Sequence, residues 1–522
     1  MTQIGLFFMV NTRTLEIVSP HTGQKLRSIQ ATTEEELERV IQRSKTVQRR
    51  WRETSFSERS EVLLAISETL RSRADLYAKE IQKLNGKTEQ EALIAEIFPT
   101  LAHFNYFAKN AKKYLEPESL FLSAVPFAKS KLIHEPLGVI GVISPWNYPF
   151  FLSLIHVSAA LMAGNTVVIK PSEYSAGIGK LIERLLQESP IDPVWKEGLI
   201  QLVYGYGDLG NKLISSGVSK VCFTGSTKTG HVVYESASRL MLPVTLEMGG
   251  KDPAIVLEDA DLSTAIPGIV WGGFVNCGQA CASIEKLYVP FSRKEEFEQR
   301  ISDYVSSLGA ENFGTMNTLN QKAIVESQLR EALEKGAKVI AETKELDPEN
   351  PYRLQGKVLV DVPKDSRLFL DETFGPLLPI YYYKNVEEVI SELNSSQYGL
   401  TCSLWTTQLK KAEELAERID VGVVTINDHL ITPGFPEAPW LGHKESGLGF
   451  SASYHSLYGL SKMKYVYHDR GQLKYKFWQY PYTRSKASWI KLIIESQFNL
   501  SRAKKVMYTA VSMPRLFLKD RD

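Results

Sequence analysis

The sequence predicts an α/β protein whose core is an open, doubly wound sheet, repeated in a second α/β unit. Three observations predict it. Short runs rich in Val, Ile and Leu, among them "PLGVIGVISP", "TVVIKPS", "SKVCFTGS" and "PAIVLED", alternate with helical stretches such as "FLSLIHVSAALMAG". Buried parallel strands crossed by helices have this form. The pattern recurs after Cys281 in "IEKLYVP", "LPIYYYK" and "VGVVTIND". A chain of 522 residues also exceeds what one hydrophobic core holds.

The elements follow in order. In the first hundred residues, Thr33 and Glu36 have capping-box spacing, and Leu37, Val40 and Ile41 continue as an apolar helical stripe. A second amphipathic run from about Glu61 is expected to stop at Gly86, as a C′ glycine. From Leu132 the period changes to the strand-and-helix alternation. The tail differs again: from Arg470 to Lys519 eleven Lys/Arg face one acid, Glu495, with aromatics between them.

Composition narrows the function. Hydrophobic content of 43% and charge of 23% are ordinary for a soluble globular protein, and a net charge of +1 gives no general pull toward nucleic acid. Four scattered cysteines make no disulfide framework, so a reducing, cytoplasmic setting is expected. No stretch reaches the roughly 18 to 20 apolar residues that cross a bilayer. The first residues lack a basic region and a small-residue cleavage site, so secretion is not expected.

Several short stretches are candidate sites. "GYGDLG", from Gly205, follows an expected strand but lacks the acid about 20 residues on that a dinucleotide fingerprint wants, so a turn into a helix competes with it. "FTGSTKTG" (223–230) lies between a strand and a helix, where backbone N–H groups and the Ser226 hydroxyl can hold a phosphate. A plain turn reads equally well. "KPSE" puts Lys170 and Glu173 just past a strand, where ligands of open sheets bind, although a solvated loop has the same composition. Cys277 and Cys281 in "VNCGQAC" supply too few ligands for zinc. Core packing is the ordinary fate of each, yet small neutral neighbours leave room for Cys281 to act as a nucleophile.

From about Val18 to Tyr467 the chain resembles the aldehyde dehydrogenase superfamily. The motifs that carry the resemblance are "SPWNYP" (144–149), "KPSE" (170–173), "FTGSTKTG" (223–230), "LEMGGKDP" (246–253), "GQAC" (278–281), "ETFGP" (372–376) and "KESGLG" (444–449). Thirty-four residues separate Glu247 from Cys281, the family's usual interval. The resemblance implies two Rossmann-like domains: a cofactor-binding domain over 1–116 and 137–249 and a catalytic domain over 250–447. It also implies an oligomerisation β-arm over 117–136 and 448–468, leaving 469–522 as a basic aromatic extension. Cys281 is then the thiol nucleophile, Asn147 the oxyanion donor and Glu247 the base that activates water. Lys170 and Glu173 would face the adenosine ribose, with Gly225 and Ser226 at the pyrophosphate. Glu372 would hold the nicotinamide ribose beside Phe374. Trp146, Gly205 and Phe223 complete the expected cofactor contacts, and Cys277 is left to packing.

The expected cofactor is NAD, with NADP possible, because Glu173 would repel a 2′-phosphate that Lys170 would tolerate. The expected substrate is an uncharged medium- or long-chain aliphatic or aromatic aldehyde, on the strength of Ala280, Ala282 and an apolar wall of Tyr148, Phe150, Phe151 and Leu152. A semialdehyde or amino-aldehyde enzyme, and a non-catalytic protein on the same fold, are the alternatives. Partners are expected to be a second copy or three more, as a homodimer or homotetramer. Three positions leave the family pattern: Leu84, Thr315 and His443, the last expected near the substrate entrance. The tail reads either as an interfacial segment, with Trp478, Trp489, Ile490, Ile493 and Ile494 entering a membrane surface, or as an extension over the acidic body. Residues 1–469 carry 49 Lys/Arg against 57 Asp/Glu.

Overall fold

The computed structural model describes residues 13–122, 128–344, 347–469, 476 and 478–498. The chain divides into two compact units, Met1–Leu115 with Glu135–Lys462, and Glu116–His134 with Met463–Asp522. Both large sheets lie in the first.

The first sheet has six strands, ordered Gly447–Leu448, Val244–Glu247, Lys220–Thr224, Val139–Ser144, Thr166–Pro171 and Ile200–Leu202. All neighbours run parallel except the first pair. Val139–Ser144 is entered first, and the chain builds outward from it in one direction and then in the other. The sheet therefore reverses direction between Val139–Ser144 and Lys220–Thr224, and ligands of open sheets bind at the carboxyl ends of strands at such a reversal. The strands are buried on both faces, which is why they read as continuous Val/Ile runs.

The second sheet has seven strands, ordered Lys338–Glu342, Lys357–Val360, Leu377–Tyr383, Ile284–Pro290, Asp252–Val256, Thr401–Trp405 and Val423–Ile426, again parallel except at the first pair. The expected second α/β unit is therefore present.

The N-terminal helices form as their caps dictate. Thr33 accepts from the Glu36 N–H at 3.2 Å while Glu36 Oε2 accepts from the Thr33 N–H at 2.8 Å, starting the helix Glu34–Trp51. The run from about Glu61 proves to be two helices, Phe56–Ser72 and Ala74–Asn85, because Arg73 leaves the helical region at φ −127°. Gly86 ends the second in the left-handed conformation, φ +85°, as a C′ glycine should.

In the second unit a three-stranded sheet is ordered Ser461–His468, Lys129–Pro136 and Glu118–Ser119. A helix follows over Arg484–Phe498. The side chain of Trp489, and Arg470, Lys474, Arg502, Lys504, Lys505, Arg515 and Lys519, lie outside the described residues. No helix among the described residues is long and apolar enough to cross a membrane.

Candidate active site

The motifs converge because the two sheets present opposite edges to one region. From the carboxyl edge of the first sheet come Pro145–Tyr148 after Val139–Ser144, Gly225–Ser226 after Lys220–Thr224, Ser172–Glu173 after Thr166–Pro171, and Glu247 itself at the end of its strand. From the amino edge of the second come Cys281, just before Ile284–Pro290, and Glu372–Pro376, just before Leu377–Tyr383.

The cysteine loop is tightly constrained. Helix Leu262–Phe274 ends, and Asn276 and Cys277 then take φ +53° and +54°, which L-residues adopt at a cost of roughly 1 kcal/mol or more each. Glu91 Oε1 accepts the Asn276 N–H at 2.7 Å and holds the turn. Gly278, at φ +67°, must be glycine: a Cβ would lie 2.3 Å from the Gly375 carbonyl oxygen. The turn separates the two cysteines by environment. Cys277 is buried in the core and its thiol donates to the Gly314 carbonyl at 3.3 Å, while burial pushes its pKa up to about 12. Cys281 is the one cysteine of the four that is not fully buried. Desolvation, then Asp252, Glu247 and Glu372, push its thiol above the ordinary range, so the resting sulfur is protonated.

Beside it lies Glu247, buried, with Oε1 accepting from the Ser451 hydroxyl at 2.5 Å. Its Oε2 is buried with no hydrogen-bond partner among the described residues. Burial pushes this acid up to about 8, with the Ser451 hydroxyl and then the Trp440 indole opposing. A carboxyl with one oxygen fixed and one unspent, titrating near neutrality, suits general-base work. Asn147 is also buried. Its main-chain carbonyl accepts from Lys87 Nζ and, at 3.1 Å, from Asn276 Nδ2, whereas its side-chain Oδ1 has no partner among the described residues. The side-chain amide is thus not consumed by the structure.

The remaining motifs fit a dinucleotide. Ser226 caps the helix Thr227–Ser238 with its hydroxyl, and Gly225 precedes it, so the helix N-terminus faces the sheet reversal. A Cβ on Gly249 would fall 2.4 Å from the Glu372 carboxylate, which itself accepts the Gly250 N–H at 3.3 Å. Burial first, then the Glu285 carboxylate, raises Glu372 to about 8. Phe374, at φ +53°, stands edge-on to Trp146 at 5.4 Å. Lys170 is buried at the end of its strand and donates to the Pro171 carbonyl at 3.1 Å, while Glu173 is half-buried. Gly205 makes a tight turn, where a Cβ would meet Leu209 at 2.7 Å.

The structure places several more of the expected residues. Phe223, expected to touch the cofactor, is buried in the core with its ring under Gly225, where a Cβ would lie 2.6 Å from it; it supports the turn from below. Phe150 and Phe151, expected to line a substrate wall, are buried, Phe150 against Tyr77 and Phe151 against His103. His443, expected near the entrance, bonds Asp420 Oδ1 through Nδ1 at 3.0 Å. Leu84 and Thr315 are buried, Leu84 packing on Gly177 and the Thr315 N–H donating to the Gly86 carbonyl at 2.9 Å.

Sequence reasoning did not find Lys87, Glu96, Asn276, Glu285 or Ser451. Ser451 and Glu247 are 204 positions apart, and no local pattern links them. Lys87 carried a faint signal, as a lysine directly after a helix-ending glycine.

A model of the aldehyde dehydrogenase family matches residues 7–466. The chain is 36% identical over 459 residues to the 4,4′-diapolycopene aldehyde oxidase of Methylomonas sp, covering 87% of this chain and 84% of that protein. It is 32% identical over 468 residues to the NADP-dependent glyceraldehyde-3-phosphate dehydrogenase of Streptococcus equinus, covering 87% and 95%. Among solved structures, the Mycobacterium tuberculosis aldehyde dehydrogenase complexed with NAD+ superposes at a TM-score of 0.81, with 28% identity, covering 88% of this chain and 95% of that one.

Proposed function

The chain belongs to the aldehyde dehydrogenase family, and from that premise we propose that it oxidises an uncharged medium- or long-chain aliphatic or aromatic aldehyde to its acid through Cys281. It is an NAD(P)-dependent enzyme. One observation carries the mechanistic reading: the only partly exposed cysteine lies within electrostatic reach of a buried glutamate that keeps one oxygen unspent.

In this reading the Cys281 sulfur, once deprotonated, adds to the aldehyde carbon, and the carbonyl π pair moves onto oxygen. The oxyanion accepts from Asn147 Nδ2 and the Cys281 N–H, and one such donor is typically worth about 3 to 4 kcal/mol. NAD(P)+ would supply the hydride acceptor that leaves Cys281 as a thioester, and Ser226, Gly225, Glu173, Lys170 and Glu372 would hold it, with Phe374 and Trp146 beside it. Glu247 then takes a proton from water, the hydroxide oxygen bonds to the acyl carbon, and the Cys281 thiolate leaves with the electron pair of the broken C–S bond. NAD is the preferred cofactor because the Glu173 carboxylate would repel a 2′-phosphate, and the ratio of kcat/KM for NAD and NADP tests this.

The substrate class is supported by an apolar lip. Leu430 and Cys281 both pack on the cluster of Ala282, Leu400, Trp440 and Ala452. Next along the chain Ile431 and Phe435 are exposed, and Phe98 lies 4.0 Å from where a Gly434 Cβ would stand. Phe98 and Ile94 are 57% and 58% exposed, too apolar a lip to suit a charged aldehyde. Steady-state kinetics on octanal, benzaldehyde, 4,4′-diapolycopene aldehyde and succinic semialdehyde test the reading. The expected result is higher kcat/KM for the apolar aldehydes, and a higher value for succinic semialdehyde would overturn it.

Two surfaces of the second unit support partners. The strand Ser461–His468 is exposed along most of its length and displays Met463, Tyr465, Val466 and Tyr467, as a subunit-joining strand would. The helix Arg484–Phe498 exposes Ile494 and Phe498 beside Lys491, a composition suited to an anionic membrane surface. Cosedimentation with phosphatidylserine vesicles, lost when residues 470–522 are removed, is the expected result. Equal binding without them would exclude the tail as the anchor.

A further inference from the structure

We propose that Lys87 and Glu96 are a positioning pair that sets the oxyanion donor Asn147 against Cys281, with Asn276 as a second brace; this rests on the roles assigned to Asn147 and Cys281 above. The pair is entirely buried, with Lys87 Nζ 3.3 Å from Glu96 Oε1. Lys87 Nζ donates its hydrogen bonds to Asn85 Oδ1 and to the Asn147 main-chain carbonyl, and meets Glu96 as a charge. Glu96 Oε2 accepts from the N–H groups of Phe150 at 3.1 Å and Phe151 at 2.8 Å, the first free donors of the helix Pro149–Met162, since Pro149 has none. A carboxylate there also meets the positive end of the helix dipole.

The two charges therefore grip Asn147 from both sides in sequence. Lys87 holds its carbonyl, and Glu96 holds the helix that begins two residues later. Asn85 adds a third tie, donating to the Trp146 carbonyl at 2.8 Å. Glu96 reaches this position because Leu93–Ile97 forms one π-helical turn between the helices Glu89–Ala92 and Phe98–Leu115. The wider turn leaves Ile94 outside and Glu96 fully inside. Such single turns frequently accompany functional sites.

Asn276 links this frame to the nucleophile loop. Its Nδ2 donates both to the Asn147 carbonyl and to the Gln279 carbonyl, each at 3.1 Å, two residues before Cys281. The donor loop and the thiol loop thus share one side chain. A buried ion pair is a weak stabiliser, and well-packed apolar residues often replace one without loss. An apolar pair cannot grip a carbonyl. Holding Asn147 in place is where the two charges have an effect that packing would not reproduce, and a displacement of 1 Å at a reacting centre can cost about 100-fold in rate.

A double-mutant cycle on acylation tests this. Burst release of p-nitrophenol from p-nitrophenyl octanoate forms the same oxyanion at Cys281 and needs no nicotinamide, so it reads the positioning directly. In an otherwise unaltered enzyme, Lys87→Met is expected to slow the burst about 30- to 100-fold. In an Asn147→Ala background it is expected to slow it less than about 3-fold further, because the residue it positions is gone. Asn276→Asp should behave in the same way, and it decides the matter if Lys87→Met does not fold. Full losses in both backgrounds, or a loss below about 2-fold in the unaltered background, would overturn the proposal while leaving the assignment of Asn147 and Cys281 intact. An unaltered enzyme that neither acylates at Cys281 nor reduces NAD with any aldehyde would overturn both.

Discussion

A carboxyl shut away from water at position 247 has a pH signature of its own. Burial raises Glu247 from an ordinary 4.5 to about 8. Its base form therefore grows as pH rises, and thioester hydrolysis should climb through a midpoint at about pH 8 and level roughly one unit above it. The stability consequence has the same origin. Between pH 4.5 and 8 the folded chain holds a proton that the unfolded chain has lost, so this group's contribution to stability falls as pH rises through that window. Glu247→Gln removes the titration. Relative to the unaltered protein it should gain stability from pH 5 to pH 8 by at most about 1.4 kcal/mol per unit, with no gain below pH 4.5, in urea unfolding across that range. A pH-independent difference would mean that Glu247 is not desolvated as the structure has it.

At the scale of elements, one buried acid holds the N–H groups of the loop 372–376, while Gln321 and Gln328 hold its carbonyls. Glu285 accepts the N–H groups of Thr373, at 2.7 Å, and Phe374, at 2.8 Å, and pairs with Lys251 Nζ at 2.6 Å. Glu285→Ala would leave a buried ammonium and two unpaired N–H groups. It should cost about 3 to 5 kcal/mol by chemical denaturation and weaken NADH binding, followed by fluorescence, about 10-fold. The sequence reveals such elements unevenly. Strands buried on both faces announce themselves as Val/Ile runs, and Thr33 with Glu36 announces a helix start. Glu285 lies within "IEKLYVP", where it reads only as a strand residue, because its partners come from loops about 34 and 88 positions away. The break at Arg73 was equally hidden, since the apolar stripe runs on through it.

For the whole molecule, the exposed strand Ser461–His468 lies at one edge of its three-stranded sheet. Edge strands with exposed apolar side chains pair with other chains unless a charge blocks them. Val466→Lys should therefore shift the assembled species toward single chains in light scattering coupled to gel filtration, with little change in unfolding free energy per chain. What ordered motifs made legible was the pairing of sheet edge with chemistry: Asn147 and Glu247 stand at the carboxyl ends of first-sheet strands, where an open α/β sheet leaves room for a ligand, and Cys281 stands just before a strand of the second sheet. What they left hidden was the support beneath, because Lys87, Glu96 and Asn276 act through contacts that only the folded chain creates. The central claim is a thioester on one sulfur awaiting one base. Peptide mass spectrometry of the Glu247→Gln enzyme, quenched with acid after mixing with NAD and octanal, tests it most directly. The account predicts one octanoyl group on the peptide carrying Cys281 and none after Cys281→Ser. Acylation of Cys222, Cys277 or Cys402 instead, or no acyl-enzyme despite NADH formation, would contradict it.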